Sequence, residues 1–153
     1  MLKKIGPFIL AAFLLVLLIV GYAGRNTMNR FISEKMKEQA TPETKLSVNE
    51  LIQKNYNYTE NTLDYDFTLL EFGSTGCAVC KRMEPVLEEI RNTQQTKVNV
   101  VFLHIMKSEN QPLMKYYGIS AVPMQILLDK QGREFFRHYG FISAAELTEK
   151  INN

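Results

Sequence analysis

Tryptophan is absent from this 153-residue chain, cysteine occurs only twice, and neither sign of charge prevails, since 18 Lys and Arg face 16 Asp and Glu for a net of +2. Two cysteines cannot build the multi-bridge framework that holds small secreted domains together. A near-neutral balance argues against a dedicated nucleic-acid binder, because phosphate contacts need a concentrated basic surface. No internal repeat and no low-complexity segment is present. What is there is ordinary: 46% hydrophobic and 22% charged residues, enough for one domain with its own core. The two cysteines are therefore redox chemistry, metal ligands, one isolated staple or plain core.

Charge is also missing locally. Residues 5–24 contain none, directly after Lys3 and Lys4. At ~1.5 Å rise per residue a helix of that length crosses a ~30 Å hydrocarbon layer, whereas a buried core helix would show polar positions with a 3.6-residue period. The expectation is a transmembrane anchor over 5–24, in contact with the lipid bilayer, behind a cytoplasmic tail 1–4. The alternative is a signal peptide cut after Gly21-Tyr22-Ala23, which would leave a secreted protein. Lys3 and Lys4 on one side against Arg25, Arg30, Lys35 and Lys37 on the other do not decide orientation by count. The short basic tail has the shape of a signal-anchor, which puts the C-terminal part of a single-pass protein on the extracytoplasmic face. Residues 25–46 read as a juxtamembrane helix, with Met28, Phe31, Ile32 and Met36 at helical spacing, and a polar linker. Charge divides along the same line: residues 1–46 carry a net of +4 and 47–153 a net of −2.

Residues 47–153 are of single-domain size and alternate in period. Ser47-Val48-Asn49-Glu50 reads as a capping box opening a short helix. Residues 67–72 and 98–105 are apolar and β-branched enough for buried strands, and 78–92 between them has Val79, Met83, Val86, Leu87 and Ile90 at helical spacing. That is a right-handed βαβ unit. A helix over 110–117 ends at Gly118, strands over 124–128 and 134–139 flank an Asp129-Lys130-Gln131-Gly132 turn, and Ser143-Ala144-Ala145-Glu146 caps a last helix. The order β-α-β-α-β-β-α predicts an α/β fold with a central mixed sheet and helices on both faces.

Cys77 and Cys80 form C-x-x-C where the first strand gives way to its helix. A cysteine in the first helical turn meets unpaired backbone N–H groups and the positive end of the helix dipole, both of which stabilise a thiolate. Three residues on, the second sulfur returns to the same face. The layout supports a nucleophilic, exposed Cys77 and a more buried, resolving Cys80. Zinc would need four ligands, and only His104 and His138 are available beyond the pair, so no metal site is expected. Covalent haem needs His directly after the second cysteine, where Lys81 stands. A Cu(I) carrier using the two thiolates, and a merely structural disulfide, stay open as alternatives to reversible thiol–disulfide exchange.

These residues resemble the thioredoxin family over 47–153. The strand LLEFGS leads into C-x-x-C, Pro85 follows Cys80 by five positions, Tyr117-Gly118-Ile119 makes a turn, Val122-Pro123 heads a strand, and Gly140 follows the last one. The resemblance implies a three-layer sandwich around the mixed sheet, here preceded by the N-terminal transmembrane helix. It implies that the Val122-Pro123 bond is cis and that Val122 and Pro123 hold a substrate backbone in an extended pose. It also implies that Glu71, six residues before Cys77, is a buried carboxyl that exchanges a proton as Cys80 attacks; a solvent-facing Glu71 at the polar phase of its strand is the alternative. The family's usual Trp before the first cysteine is Gly76 here and its usual Gly-Pro is Ala78-Val79, so Ser74-Thr75-Gly76 offers substrates a smaller, more polar approach. His104 falls near the family's buried lysine, although a satisfied strand histidine accounts for it as well. The expected function is a membrane-tethered thiol–disulfide oxidoreductase, a reductase by preference, needing no cofactor beyond its own redox-active Cys77–Cys80 pair. Its partners are protein thiols and disulfides and a membrane electron donor or acceptor, with no nucleic acid. A non-catalytic binding module of the same fold is the second hypothesis.

Overall fold

A computed structural model describes residues 10, 13–21, 23, 24, 27–93 and 96–152 in full, and residues 2–9, 11, 12, 22, 25 and 26 only as part of the first helix. The expected tail 1–4, and residues 5–9, 11, 12 and 22 of the expected anchor, lie outside the fully described residues. The first helix, α1 (Leu2–Glu38), runs without a break past the apolar stretch and into the charged segment behind it. This corrects the expected transmembrane helix: among the described residues no helix is long and apolar enough to cross a membrane. The distal half of α1 packs on the domain, with Ser33 Oγ 3.4 Å from the Tyr117 carbonyl oxygen.

The second helix, α2 (Pro42–Tyr56), begins five residues before the expected Ser47. Thr41 is its N-cap, its Oγ1 accepting the Thr44 N–H at 3.2 Å, and Pro42 occupies the position where a missing N–H costs nothing. Ser47 lies inside the helix and donates to the Thr44 carbonyl at 3.0 Å. Strand β1 (Phe67–Gly73), helix α3 (Ala78–Arg91) and strand β2 (Val98–His104) follow as the expected βαβ unit. Helix α4 (Gln111–Tyr117), entered through a short 3₁₀ turn at Ser108–Asn110, ends on Gly118. The hairpin β3 (Met124–Leu128) and β4 (Glu134–Tyr139) and the helix α5 (Ala144–Asn152) complete the chain. At the last helix Ser143 Oγ and Glu146 exchange the reciprocal bonds of a capping box.

The sheet order is β2-β1-β3-β4, with β1 parallel to β2 and antiparallel to β3, and β3 antiparallel to β4. Strand β1 is central and buried on both faces, which is why it reads as a continuous apolar run. Its alternate residues serve two cores. Leu70 and Phe72 meet α2 and α4 through Ile52, Leu113 and Tyr117, while Leu69 meets α3 and α5 through Met83, Leu87 and Leu147. The result is a helix, sheet, helix sandwich.

The α1 helix seats on this sandwich beside Gly118. Ser33 is 1% exposed and its Oγ takes the Arg137 Nη1–H at 2.8 Å, while the same guanidinium nitrogen reaches the Tyr117 carbonyl at 3.1 Å. Gly118 has φ 64°, and a Cβ there would stand 2.2 Å from the Ser33 carbonyl oxygen. Gly118→Ala therefore meets both a left-handed backbone and a backbone clash. It is expected to cost about 1–3 kcal/mol, read as a lower urea midpoint with unchanged slope.

Candidate active site

The turn after β1 is built by short residues. The Cys77 N–H donates to the Ser74 carbonyl at 3.2 Å, turning the chain so that Cys77 becomes the N-cap of α3. Its Sγ accepts the Cys80 N–H at 3.1 Å, the bond that an Asp or Ser oxygen makes in an ordinary cap. The two cysteines are joined by a disulfide with Cα atoms 5.2 Å apart. They differ in access: Cys77 is half-buried and Cys80 only 4% exposed. A sulfur at a helix N-terminus, offered a backbone N–H, is held preferentially as thiolate, whereas burial in apolar surroundings favours the neutral thiol.

Glu71 stands in the layer beneath the pair. It and Gly73 project from the same face of β1, and a Cβ on Gly73 would lie 3.5 Å from the Cys80 Cβ. That is the α3 face, as Leu69 two residues earlier shows by packing on Met83 and Leu87. Glu71 is 0% exposed, not solvent-facing, and burial pushes its carboxyl up from 4.5 to about 8. The Gln125 amide opposes that shift in part, donating from Nε2 to Glu71 Oε2 at 2.7 Å.

Pro123 is buried and follows Val122 through a cis peptide bond; its carbonyl accepts the Gly140 N–H at 2.8 Å. Val122 and Pro123 line a groove of about 450 Å³ together with Val79 and Arg82 of α3, Phe141 and Asn29 of α1. The Arg82 guanidinium lies 5.1 Å above the Phe141 ring. Gly76 stands apart from this groove: it is exposed, with nothing within 4 Å of where its Cβ would be. The site thus brings together Cys77, Cys80, Glu71 and the Val122-Pro123 edge, and leaves Gly76 as open approach.

His104 is in register with Gly73, one pleat from Glu71, whose β2 partner is Phe102. Its Nδ1 accepts the Met106 N–H at 3.2 Å, the satisfied strand histidine of the two readings. Two participants were not anticipated from sequence, Phe102 and Gln125. The signal for Gln125 was present: one amide in an otherwise apolar five-residue strand, Met124–Leu128.

The chain matches the thioredoxin-like domain family over residues 55–153. It is 31% identical over 98 residues to a thioredoxin of Rickettsia bellii, covering 63% of this chain and 90% of that one. A chloroplastic thioredoxin-like protein of Arabidopsis thaliana is 25% identical over 107 residues, which are 70% of this chain and 41% of the relative. Among solved structures, a mutant thioredoxin from Halobacterium salinarum superposes with a TM-score of 0.51 at 30% identity, covering 61% of this chain and 81% of its own.

Proposed function

We propose, for a chain that belongs to the thioredoxin family and is a thiol–disulfide oxidoreductase, that it reduces protein disulfides with Cys77 as nucleophile and Cys80 as resolving thiol. The observation that carries this reading is the asymmetry of the pair, a capping and accessible Cys77 beside a Cys80 buried above a carboxyl. In the reduced chain the Cys77 thiolate attacks one sulfur of the substrate disulfide. The S–S bond breaks, the leaving sulfur departs as thiolate and takes a proton from water, and a mixed disulfide remains. Cys80 then gives its proton to the Glu71 carboxylate, and its thiolate attacks Cys77 Sγ. The Cys77–Cys80 bond closes, and the second substrate sulfur leaves and collects the proton from Glu71. Two electrons pass from chain to substrate.

The placement of Glu71 suits the resolving step. A buried thiol titrates high and needs a base, and the step that needs Cys80 as an attacking group is the one that expels reduced product. A carboxyl lifted to about 8 is a matched acceptor for that proton near neutral pH. The groove beside Val122-Pro123 takes an extended segment of the substrate chain, held by backbone bonding, and a donor dithiol protein re-reduces the closed pair. We place the domain outside the cytoplasm, on the support of Lys3 and Lys4 followed by the uncharged run 5–24, the order of an export signal.

The test is reduction of insulin disulfides by the full chain with dithiothreitol, together with the potential of the Cys77–Cys80 couple. Expected are acceleration over dithiothreitol alone and a potential near about −270 mV. No acceleration, or a potential near about −120 mV, overturns the reductase reading.

A further inference from the structure

The layer beneath the disulfide holds a polar row in an apolar setting. Glu71 of β1 is in register with Gln125 of β3 on one side and Phe102 of β2 on the other, and cross-strand partners project to the same face. Gln125 is 0% exposed, in a strand whose other residues are Met124, Ile126, Leu127 and Leu128. A buried amide costs stability unless it is paired, and a leucine here would avoid that cost. The bond its side chain makes is to Glu71: Nε2 donates to Oε2 at 2.7 Å, while Oε1 of each residue has no hydrogen-bond partner among the described residues. On the opposite side the Phe102 ring covers Gly73, where a Cβ would stand 2.7 Å from its Cε2. The buried carboxyl thus has one oxygen engaged by an amide and the other without a partner among the described residues.

We propose that Gln125 is a positioning residue for the proton carrier: by engaging Oε2 it fixes the carboxyl plane and leaves Oε1 as the oxygen that takes and returns the Cys80 proton. The inference rests on the proton role assigned to Glu71 above. The other titratable groups on this face are Cys77 and Cys80 at the start of α3, His104 in register with Gly73, and His138 of β4 in register with Gln125. Lys81, Arg82 and Glu84 of α3, and Glu146, Glu149 and Lys150 of α5, are exposed. The donated bond favours the ionised carboxyl, so its loss moves Glu71 further up.

The experiment is titration of the Glu71 carboxyl by carbon NMR in the oxidised full chain, comparing wild type with Gln125→Met and Gln125→Leu, which fill the site without a donor. An upward shift of about one pH unit is expected in each, with the pH profile of the resolving step moving alongside. An unmoved midpoint in a folded variant overturns the proposal. Should neither variant fold, the wild-type Gln125 side-chain amide resonance carries the test: it is expected to shift with the Glu71 midpoint, and constancy through that pH overturns the proposal. Glu71→Gln separates the two layers of argument. An unchanged resolving rate there removes the proton role and the proposal with it, whereas a slowed rate with an unmoved midpoint in the Gln125 variants removes the positioning alone.

Discussion

Serine at position 80 is expected to turn the protein from a catalyst into a trap. With Cys77 intact the first exchange still occurs, but the group that should attack the mixed disulfide from inside is gone. Well-oriented intramolecular attack has effective molarities of about 10⁵ M, so by that ratio an external thiol at millimolar concentration releases the substrate about 10⁸-fold more slowly. Cys80→Ser should therefore accumulate as a disulfide-linked species with its substrate, visible on a non-reducing gel and dissolved by excess reductant. Cys77→Ser should form no such species, and its insulin reduction should fall to the rate of the reductant alone. The contrast follows from geometry, since Cys77 caps α3 at the accessible end while Cys80 is 4% exposed. A Cys77→Ser chain that still cross-links would reverse the two roles.

Glu71→Gln is expected to change how stability depends on pH. In the oxidised fold the carboxyl titrates at about 8, against 4.5 for an ordinary glutamate. Between those values the folded chain keeps a proton that the unfolded chain has released. The stability due to the neutral carboxyl is complete below about 4.5, is lost as pH rises, and is gone once the folded group ionises above about 8. The loss runs at about 1.4 kcal/mol per pH unit across that window, several kcal/mol in all. Glutamine carries no such proton. Wild type and Glu71→Gln should thus be closely matched near pH 4.5 and separate by several kcal/mol at pH 8, with the variant more stable. Other groups titrate alike in both chains and cancel in the difference. Urea midpoints of the two oxidised proteins at four or five pH values measure it; parallel curves would mean that Glu71 is ionised throughout.

The places where sequence and structure agree share a cause. The C-x-x-C junction, the Asp129 to Gly132 turn and the Ser143 to Glu146 cap are local devices whose residues act within a few positions of one another. Glu71 is different: β1 is buried on both faces, so alternation offers no polar phase, and its fate depends on Gln125, 54 residues away. The start of α2 was misread because Ser47-Val48-Asn49-Glu50 has the spacing of a capping box, yet Thr41-Pro42 supplies an earlier cap and the helix runs through both. The apolar run misled for a similar reason. Hydropathy over 5–24 is a property of that segment alone and does not show how far its helix continues, and α1 runs on to bury Ser33 against Tyr117 and Gly118.

The sulfur cap on α3 ties two laboratory quantities together. The Cys80 N–H meets a disulfide sulfur in the oxidised chain and a thiolate after reduction, and the thiolate is the stronger acceptor. Folding and reduction form the sides of a closed thermodynamic square, so whatever the cap contributes to one redox form over the other appears twice. It forms part of the gap between the unfolding free energies of the oxidised and reduced proteins, and the same part of the displacement of the couple's potential from that of the same C-x-x-C in an unfolded chain. About 1.4 kcal/mol on the first scale is about 30 mV on the second. A pair of denaturation curves and a pair of redox titrations, of the folded and the unfolded chain, must then return the same number.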